Sequence, residues 1–458
     1  MLPSPGSRIH FLGIGGIGVS AVARIALAHG YVVSGSDVRR SQLTDGIAAA
    51  GATVHIGHLP EHVDGVDLVV ISTAIPDHNV ELRRAREIGC PLMHRSELLA
   101  AFVRRYTSIG VTGTHGKGTT AAMLTSILDA DGRQPGFVIG GLLQQFRTNA
   151  RPGAGQFMVV EVDESDGTHA NILTDLLICN YLEADHLNYY RDLEHIIESM
   201  AEVVNTNASL QNLFVNIECD GNRRLRSLVE RPVITYGLTD DAEFTARILG
   251  AAQMPIRFEV VVRGESWGEF ELPVAGRYNV TNALGAIAVA QSLGCSRAAM
   301  REGLATYGGL ENRFTIADAD GITIVKDYNS HPTAIRKVLQ SARDLADGRI
   351  FSVFKPYRYT LTSYLQDEYA TAFDGSDTVV ITTMYAANED PIEGIDTDFV
   401  VRKLRENGLN VQHIPDQNGI VPWLAANARP GDLVLFFGGD DFFAMADAWT
   451  NERNGRRP

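Results

Sequence analysis

The chain has 458 residues, 45% of them hydrophobic and 21% charged, and a formal net charge of −15. That length exceeds what one core organises and points to about three domains of ~150 residues each. The acidic balance argues against a general nucleic-acid or anionic-membrane binder, and without any uninterrupted apolar run of about 18 residues no membrane span is expected.

The four cysteines, Cys90, Cys179, Cys219 and Cys295, are scattered with no CxxC pair and no His-spaced cluster. Neither a zinc site nor a disulfide framework is expected, and a reducing cytoplasm fits. The apolar stretch 9–28 lacks a basic flank and a clear cleavage site, so it reads as part of the fold and not as a signal peptide.

Residues 9–12 form a short apolar run consistent with a buried strand. Gly13-Ile14-Gly15-Gly16-Ile17-Gly18 turns it into the helical stretch 19–29, and a second strand over 31–35 leads to Asp37. Strand-like runs follow at 53–56 and 68–72, and this βαβ rhythm predicts a Rossmann-like domain over residues 1–105. Glycines let backbone approach phosphate closely, and an acidic residue about 20 positions on accepts a sugar or base hydrogen bond. The spacing is Gly-x-Gly-Gly-x-Gly and not Gly-x-Gly-x-x-Gly. A dinucleotide, another diphosphate-bearing nucleotide and a ligand-free tight turn all remain open.

A β-prone run over 106–111 opens a central domain, 106–310, and enters Gly113-Thr114-His115-Gly116-Lys117-Gly118-Thr119-Thr120; a helical run over 121–130 leaves it. In such a turn backbone N–H groups and the helix N-terminus converge on an anion, and Lys117 adds a full positive charge, so ATP is the predicted ligand. The P-loop pattern is half met. Gly116 and Lys117 are in place, but Val111 stands at the first glycine and Gly118 where a hydroxyl would reach Mg²⁺, leaving Thr119 and Thr120 at an altered offset.

A strand over 157–162 ends in Glu161-Val162-Asp163-Glu164-Ser165-Asp166. That places carboxylates at the carboxyl edge of a parallel sheet, where one of them would hold Mg²⁺. The next strand, 176–181, ends in Asn180-Tyr181-Leu182-Glu183-Ala184-Asp185-His186; a neutral His186 is a metal ligand, a phosphate partner or a structural group. After a β-rich part with alternating runs at 258–263 and 269–273, Gly276-Arg277-Tyr278-Asn279-Val280-Thr281-Asn282 opens an Ala-rich helix. Asn279 and Asn282 share a helix face and either read an adenine edge or cap the helix.

A third domain, 311–458, carries strands at 322–325, 350–354, 378–382 and 432–436 between helix-like segments. Near its start, Arg313 and Asp327 are placed to clamp phosphate and ribose or to form interdomain ion pairs. The predicted class is therefore α/β in three domains: Rossmann-like, P-loop ATPase-like and again Rossmann-like.

In their order along the chain, the first glycine turn, Gly113-Thr-His-Gly-Lys117, Glu161-Val-Asp-Glu-Ser-Asp166, Glu183-Ala-Asp-His186, Gly276-Arg-Tyr-Asn-Val-Thr-Asn282 and Asp327 with His331-Pro332 resemble the Mur ligase family from end to end. These are three-domain, ATP-dependent amide ligases of cytoplasmic peptidoglycan synthesis. Arg358-Tyr359-Thr360 and Tyr385-Ala386-Ala387-Asn388-Glu389-Asp390-Pro391 look like the branch that joins L-alanine to UDP-N-acetylmuramate.

The resemblance implies a UDP-sugar on the first domain, with Gly15, Gly16 and Gly18 near the diphosphate and Asp37, His58 and Ser72 near the nucleoside. It implies ATP between the second and third domains, on the loop Gly113 to Thr120. Lys117 would hold the β- and γ-phosphates, and Glu161 and His186 would carry Mg²⁺ with Thr119 as a substitute hydroxyl. Asn279 and Asn282 would face adenine, Arg313 phosphate and Asp327 ribose, while His331 and Arg358 would serve the amino acid. The lactyl carboxylate attacks the γ-phosphate, and an amine then displaces phosphate from the acyl phosphate. Partners are small molecules, with no nucleic acid or membrane, and the protein is expected as a monomer or homodimer.

Four places depart from the alanine-adding branch. Gly118 replaces its threonine. Tyr328-Asn329-Ser330-His331-Pro332 stands for Tyr-Gly-His-His-Pro, and Lys355-Pro356-Tyr357-Arg358-Tyr359-Thr360-Leu361-Thr362 for Gln-Pro-His-Arg-Tyr-Thr/Ser-Arg-Thr. Gly438-Gly439-Asp440-Asp441 stands for Gly-Ala-Gly. An amide ligase with another acceptor outside peptidoglycan synthesis and an inactive nucleotide-binding homologue are therefore the alternatives. An NAD-dependent oxidoreductase rests on the first turn alone, and a polyglutamylating ligase on the Lys-Gly-Thr form of the second.

Overall fold

The computed structural model describes residues 2–165, 167–250, 254–387 and 389–455. Asp166 and Asn388, quoted in two of the motifs above, lie outside the described residues. The chain is α/β and is built on three sheets.

The first sheet is wholly parallel, in the order Thr53–Ile56, Val32–Asp37, Arg8–Leu12, Leu68–Ile71, Leu92–His94. Its central strand is buried on both faces, with Ile9, His10, Phe11 and Leu12 all fully buried. The strand order reverses at Arg8–Leu12, and the glycine turn leaves the sheet at that switch point for the helix Ile17–Ala28. The edge strand Leu92–His94 was not expected: it has only three residues, all at least partly exposed, and so leaves no apolar run to read.

The central sheet has ten strands. Its parallel part runs Gly136–Leu143, Phe157–Glu161, Thr107–Thr112, Leu176–Cys179, Asn212–Asn216, Val233–Tyr236, Phe244–Leu249. Antiparallel strands extend it: Ile256–Val262 and Glu265–Leu272 at one end, Thr148–Arg151 at the other. The helix after the phosphate loop begins at Lys117, earlier than the expected 121, because the small residues of its first turn carry no apolar period. The Ala-rich helix spans Arg277–Ser292.

The third sheet has six strands, with Thr315–Ala319 antiparallel to Ile322–Asp327, then Leu433–Phe437, Ile350–Phe354, Thr378–Ile381 and Val411–His413 parallel to it.

The first and central sheets do not stand apart. Val19, Val22 and Ile25 of the first helix share one apolar cluster with Val138, Ala150, Met158 and Val160 of the central sheet. Asn149 Nδ2 donates to Ile17 O at 2.7 Å and to Ser20 Oγ at 3.0 Å, and Asn171 Nδ2 donates to Ser96 Oγ at 3.0 Å. Among the described residues no helix is long and apolar enough to cross a membrane.

Candidate active site

Three neighbouring strands of the central sheet, Phe157–Glu161, Thr107–Thr112 and Leu176–Cys179, deliver the phosphate loop, the carboxylate run and the 180–186 segment to one carboxyl edge. Gly116, at φ +79°, caps the helix Lys117–Ala130, and a Cβ there would collide with the Asn282 carboxamide. Only glycine lets the loop bend so close to the Ala-rich helix. Lys117 Nζ donates to Gly113 O at 2.8 Å and to both oxygens of Glu164, at 3.0 and 3.1 Å. Burial alone would lower the lysine's pKa, but the Glu164, Asp163 and Glu161 carboxylates outweigh it and hold the ammonium charged. Glu164 is itself fully buried, and that burial raises its pKa against the pull of Lys117.

Asp163, Glu164 and His186 offer ligand atoms within 4.8 Å of one another, a candidate cation site. His186 sits at φ +53°, and its Nδ1 is buried without a hydrogen-bond partner among the described residues. Glu161 stands outside that group: its Oε2 accepts the Gly140 N–H at 2.7 Å. The same oxygen explains Gly118. A Cβ at 118 would lie 3.0 Å from Glu161 Oε2 and 3.1 Å from Leu310 Cδ1, tighter than ordinary contact, so glycine leaves room for the carboxylate. Of the two following threonines, Thr119 lines the cavity, whereas Thr120 is buried and its Oγ1 accepts from Asn180 Nδ2 at 3.0 Å.

A cavity of about 370 Å³ opens over this edge, between the central and third domains. Its wall includes Lys117, Glu161, His186, Asn279, Asn282, Arg313 and Asp327. Ile17 of the first glycine turn also lines it, so all three domains reach one space. Asn282 Nδ2 donates to Asn279 Oδ1 at 3.2 Å, and Asn279 Nδ2 to Ala275 O at 2.6 Å. Asp327 is 1% exposed and accepts the N–H groups of Phe314 and Asn329 at 2.9 and 3.0 Å; burial raises its pKa, opposed by Arg313.

The expected first-domain residues gather elsewhere, at the carboxyl edge of the first sheet. Asp37 Oδ2 accepts the Gly15 N–H at 2.9 Å, and a Cβ on Gly15 would stand 2.8 Å from that oxygen. His58 Nδ1 lies 3.0 Å from Ser36 Oγ and 2.9 Å from Glu81 Oε2, and Ser72 follows the strand Leu68–Ile71. Two residues here had no sequence signal. Arg95 brings its Nη1 to 3.1 Å from where a Gly18 Cβ would be, yet it sits some 80 positions away in sequence. Glu81 is fully buried among His10, His58 and His62, and although burial opposes it, hydrogen bonds from these histidines and Ser36 bring its pKa down to about 2.

The expected amino-acid side is only partly assembled. His331 does not line the cavity: its Nδ1 accepts the Thr333 N–H at 3.3 Å and its Nε2 lies 3.2 Å from Ala184 O. Burial, reinforced by His115, lowers its pKa to about 4. Arg358, at φ +65°, donates from Nη1 to Asn188 Oδ1 at 3.1 Å, and its Nε is buried without a partner among the described residues. The departing positions are absorbed in packing. Leu361 is 4% exposed, Tyr357 stacks on Tyr385 at 5.6 Å, and Lys355 Nζ pairs with Asp441 at 2.5 Å.

Three family models match in sequence: Mur ligase family, catalytic domain, over residues 8–107; Mur ligase middle domain over 111–290; and Mur ligase, glutamate ligase domain, over 312–439. A UDP-N-acetylmuramate–L-alanine ligase of Pelotomaculum thermopropionicum is 38% identical, with 95% of each chain covered. One of Bradyrhizobium diazoefficiens is also 38% identical, with 99% of each chain covered. The crystal structure of the UDP-N-acetylmuramate-alanine ligase of Thermotoga maritima superposes with a TM-score of 0.82 at 27% identity, covering 98% of this chain and all of that one.

Proposed function

The chain belongs to the Mur ligase family, and from that premise we propose that it joins L-alanine to the lactyl carboxylate of UDP-N-acetylmuramate, converting ATP to ADP and phosphate. The observation that carries this reading is the single cavity that Lys117, Glu161, His186, the Asn279–Asn282 pair, Arg313 and Asp327 share with Ile17 of the first glycine turn. The sugar nucleotide occupies the carboxyl edge of the first sheet, its diphosphate on Gly15, Gly16 and Gly18 with Arg95 as counter-charge. ATP occupies the central cavity, with adenine against Asn279 and Asn282 and ribose on Asp327.

A carboxylate is a poor partner for an amine, so its conversion to an acyl phosphate supplies the leaving group. Carboxylate and γ-phosphate repel each other. The chain's work is to neutralise and align them, through Lys117 and Arg313. Lys117 is held charged before ATP arrives, and phosphate oxygens can replace Glu164 as its acceptors. Asp163, Glu164 and His186, whose ligand atoms lie within 4.8 Å of one another, suit Mg²⁺, and Glu161 faces the same cavity as a further oxygen donor although it stands outside that group. Bound there, the ion would offset charge on the β- and γ-phosphates. Seating the third domain keeps water from the acyl phosphate, and Arg358 is the group for the amino acid's carboxylate.

Neither a different acceptor nor a redox role is favoured, because the 38% identical relatives that span 95–99% of this chain carry the L-alanine ligase name. The test is incubation with UDP-N-acetylmuramate, ATP, Mg²⁺ and each amino acid in turn, reading ADP release and product mass. L-Alanine-dependent ADP release with a matching product is expected; its absence overturns the reading.

A further inference from the structure

The segment from Tyr181 to Asn188 is gripped from two sides. On one side lies the phosphate loop. Thr114 N–H donates to Tyr181 O at 2.5 Å, Thr114 Oγ1 donates to Glu183 O at 3.1 Å, and His115 Nε2 lies 2.8 Å from Glu183 Oε2. Gly113, at φ +110°, packs so closely that a Cβ there would lie 2.8 Å from Tyr181 O. On the other side lies the third domain. Thr333 Oγ1 donates to Glu183 Oε1 at 3.2 Å, His331 Nε2 lies 3.2 Å from Ala184 O, Lys337 Nζ sits 3.3 Å above the Tyr181 ring, and Arg358 reaches Asn188 at 3.1 Å.

One carboxylate joins the two sides: Glu183 gives one oxygen to His115 of the loop and the other to Thr333 of the third domain. We infer that Glu183 is a positioning residue that ties the seating of the third domain to the shape of the phosphate loop. With the third domain seated, both oxygens are used, and the imidazole beside Gly116 and Lys117 is held in one orientation. With it withdrawn, the Glu183 carboxylate loses Thr333 and is free to rotate away from His115, so the loop loses an anchor at the moment it should not be reactive. The hydrogen bond from His115 also keeps the Glu183 pKa at about 2 against its burial, so the bridge carries a full negative charge at any working pH. A carboxylate accepting from a partner on either side holds each more firmly than a neutral amide could.

That this coupling serves phosphoryl transfer rests on the ligase reading above; the coupling itself does not. The test therefore has two readouts. Thr333→Val removes the hydroxyl at nearly constant shape, Thr333→Ser keeps it, and Glu183→Gln keeps the shape of the bridge without its charge. Amide hydrogen exchange of residues 113–116, across the domain interface from position 333, should speed up by roughly three- to tenfold in Thr333→Val and Glu183→Gln and stay at the wild-type rate in Thr333→Ser. In the ligase assay kcat should fall by a similar factor while KM for the UDP-sugar stays put. Loop exchange and kcat both within twofold of wild type in Thr333→Val and Glu183→Gln would overturn the inference. Should the wild-type chain release no ADP with any substrate, the ligase reading fails, and the exchange rates still decide the coupling.

Discussion

In both the first and the central domain a buried parallel strand runs into glycines and out through a helix N-terminus, yet the charges around the two turns are arranged differently. At 13–18 the turn carries no cation of its own. Its Gly15 N–H is taken by Asp37 at 2.9 Å, and the positive group beside Gly18, Arg95, is lent by a separate helix, Arg95–Val103. At 113–118 the cation is the first residue of the helix itself, and Lys117 lies between the loop carbonyl of Gly113 and the buried Glu164. The difference matches the proposed function. A diphosphate that is only held needs donors and a nearby counter-charge, whereas a phosphoryl group in transfer needs a fixed cation placed before the reaction starts.

The comparison can be broken most sharply at Lys117. Lys117→Ala should cut kcat by at least ~10²–10³-fold with the fold intact by circular dichroism; near-normal ADP release would remove the central turn from the chemistry. Next in size is Glu81 under the first turn. Its fall from the ordinary 4.5 to about 2 corresponds to roughly 3 kcal/mol of stability. Because the folded-state pKa is the lower one, that stability is present above pH 4.5 and is lost as pH falls from there toward 2. Denaturant titrations over that window should show a steep acid loss in wild type and a flatter profile in Glu81→Gln.

Gly118→Thr, which introduces the threonine expected of the alanine-adding branch, should destabilise by about 1–3 kcal/mol, because the new Cβ is pressed against Glu161 and Leu310. A thermal melt measures it, and an unchanged or raised Tm would show that the pocket around Glu161 gives way easily. The smallest expected effect is Arg95→Ala, which should raise KM for the UDP-sugar roughly tenfold with kcat and KM for ATP unchanged. A shift in KM for ATP instead would erase the proposed division between the two turns.

Much of the site was readable because it lies where strands end. The runs before Gly13, Gly113 and Glu161 are apolar and short, so the polar residues that follow them had to emerge at sheet edges. Arg95 and Glu81 could not be read that way. Both belong to helix starts that reach the first sheet's edge only through the tertiary fold, and neither sits in a motif. The strand Leu92–His94 was invisible for its shortness and exposure, and the early start of the helix at Lys117 for its small residues. His331 was expected at the amino acid, but pattern alone cannot tell a pocket histidine from one that caps its own helix through Nδ1 and reaches across a domain interface through Nε2. The composition of the loop likewise flagged Gly118 as a missing hydroxyl; the space Glu161 takes beside it was not legible until the strands were side by side.

The apolar cluster that runs unbroken from the helix Ile17–Ala28 into the central sheet has a mechanical consequence. Rotating one of these two domains against the other would expose that interior to water, so they should travel as a single rigid platform on which the two glycine turns keep a constant spacing. Hinge motion is then left to the remaining domain, which meets the platform through polar contacts of Thr333, His331 and Arg358 with the 183–188 segment and through Ala275, which packs into its apolar cluster. On the proposed function, the moving part is then the domain that carries Arg358.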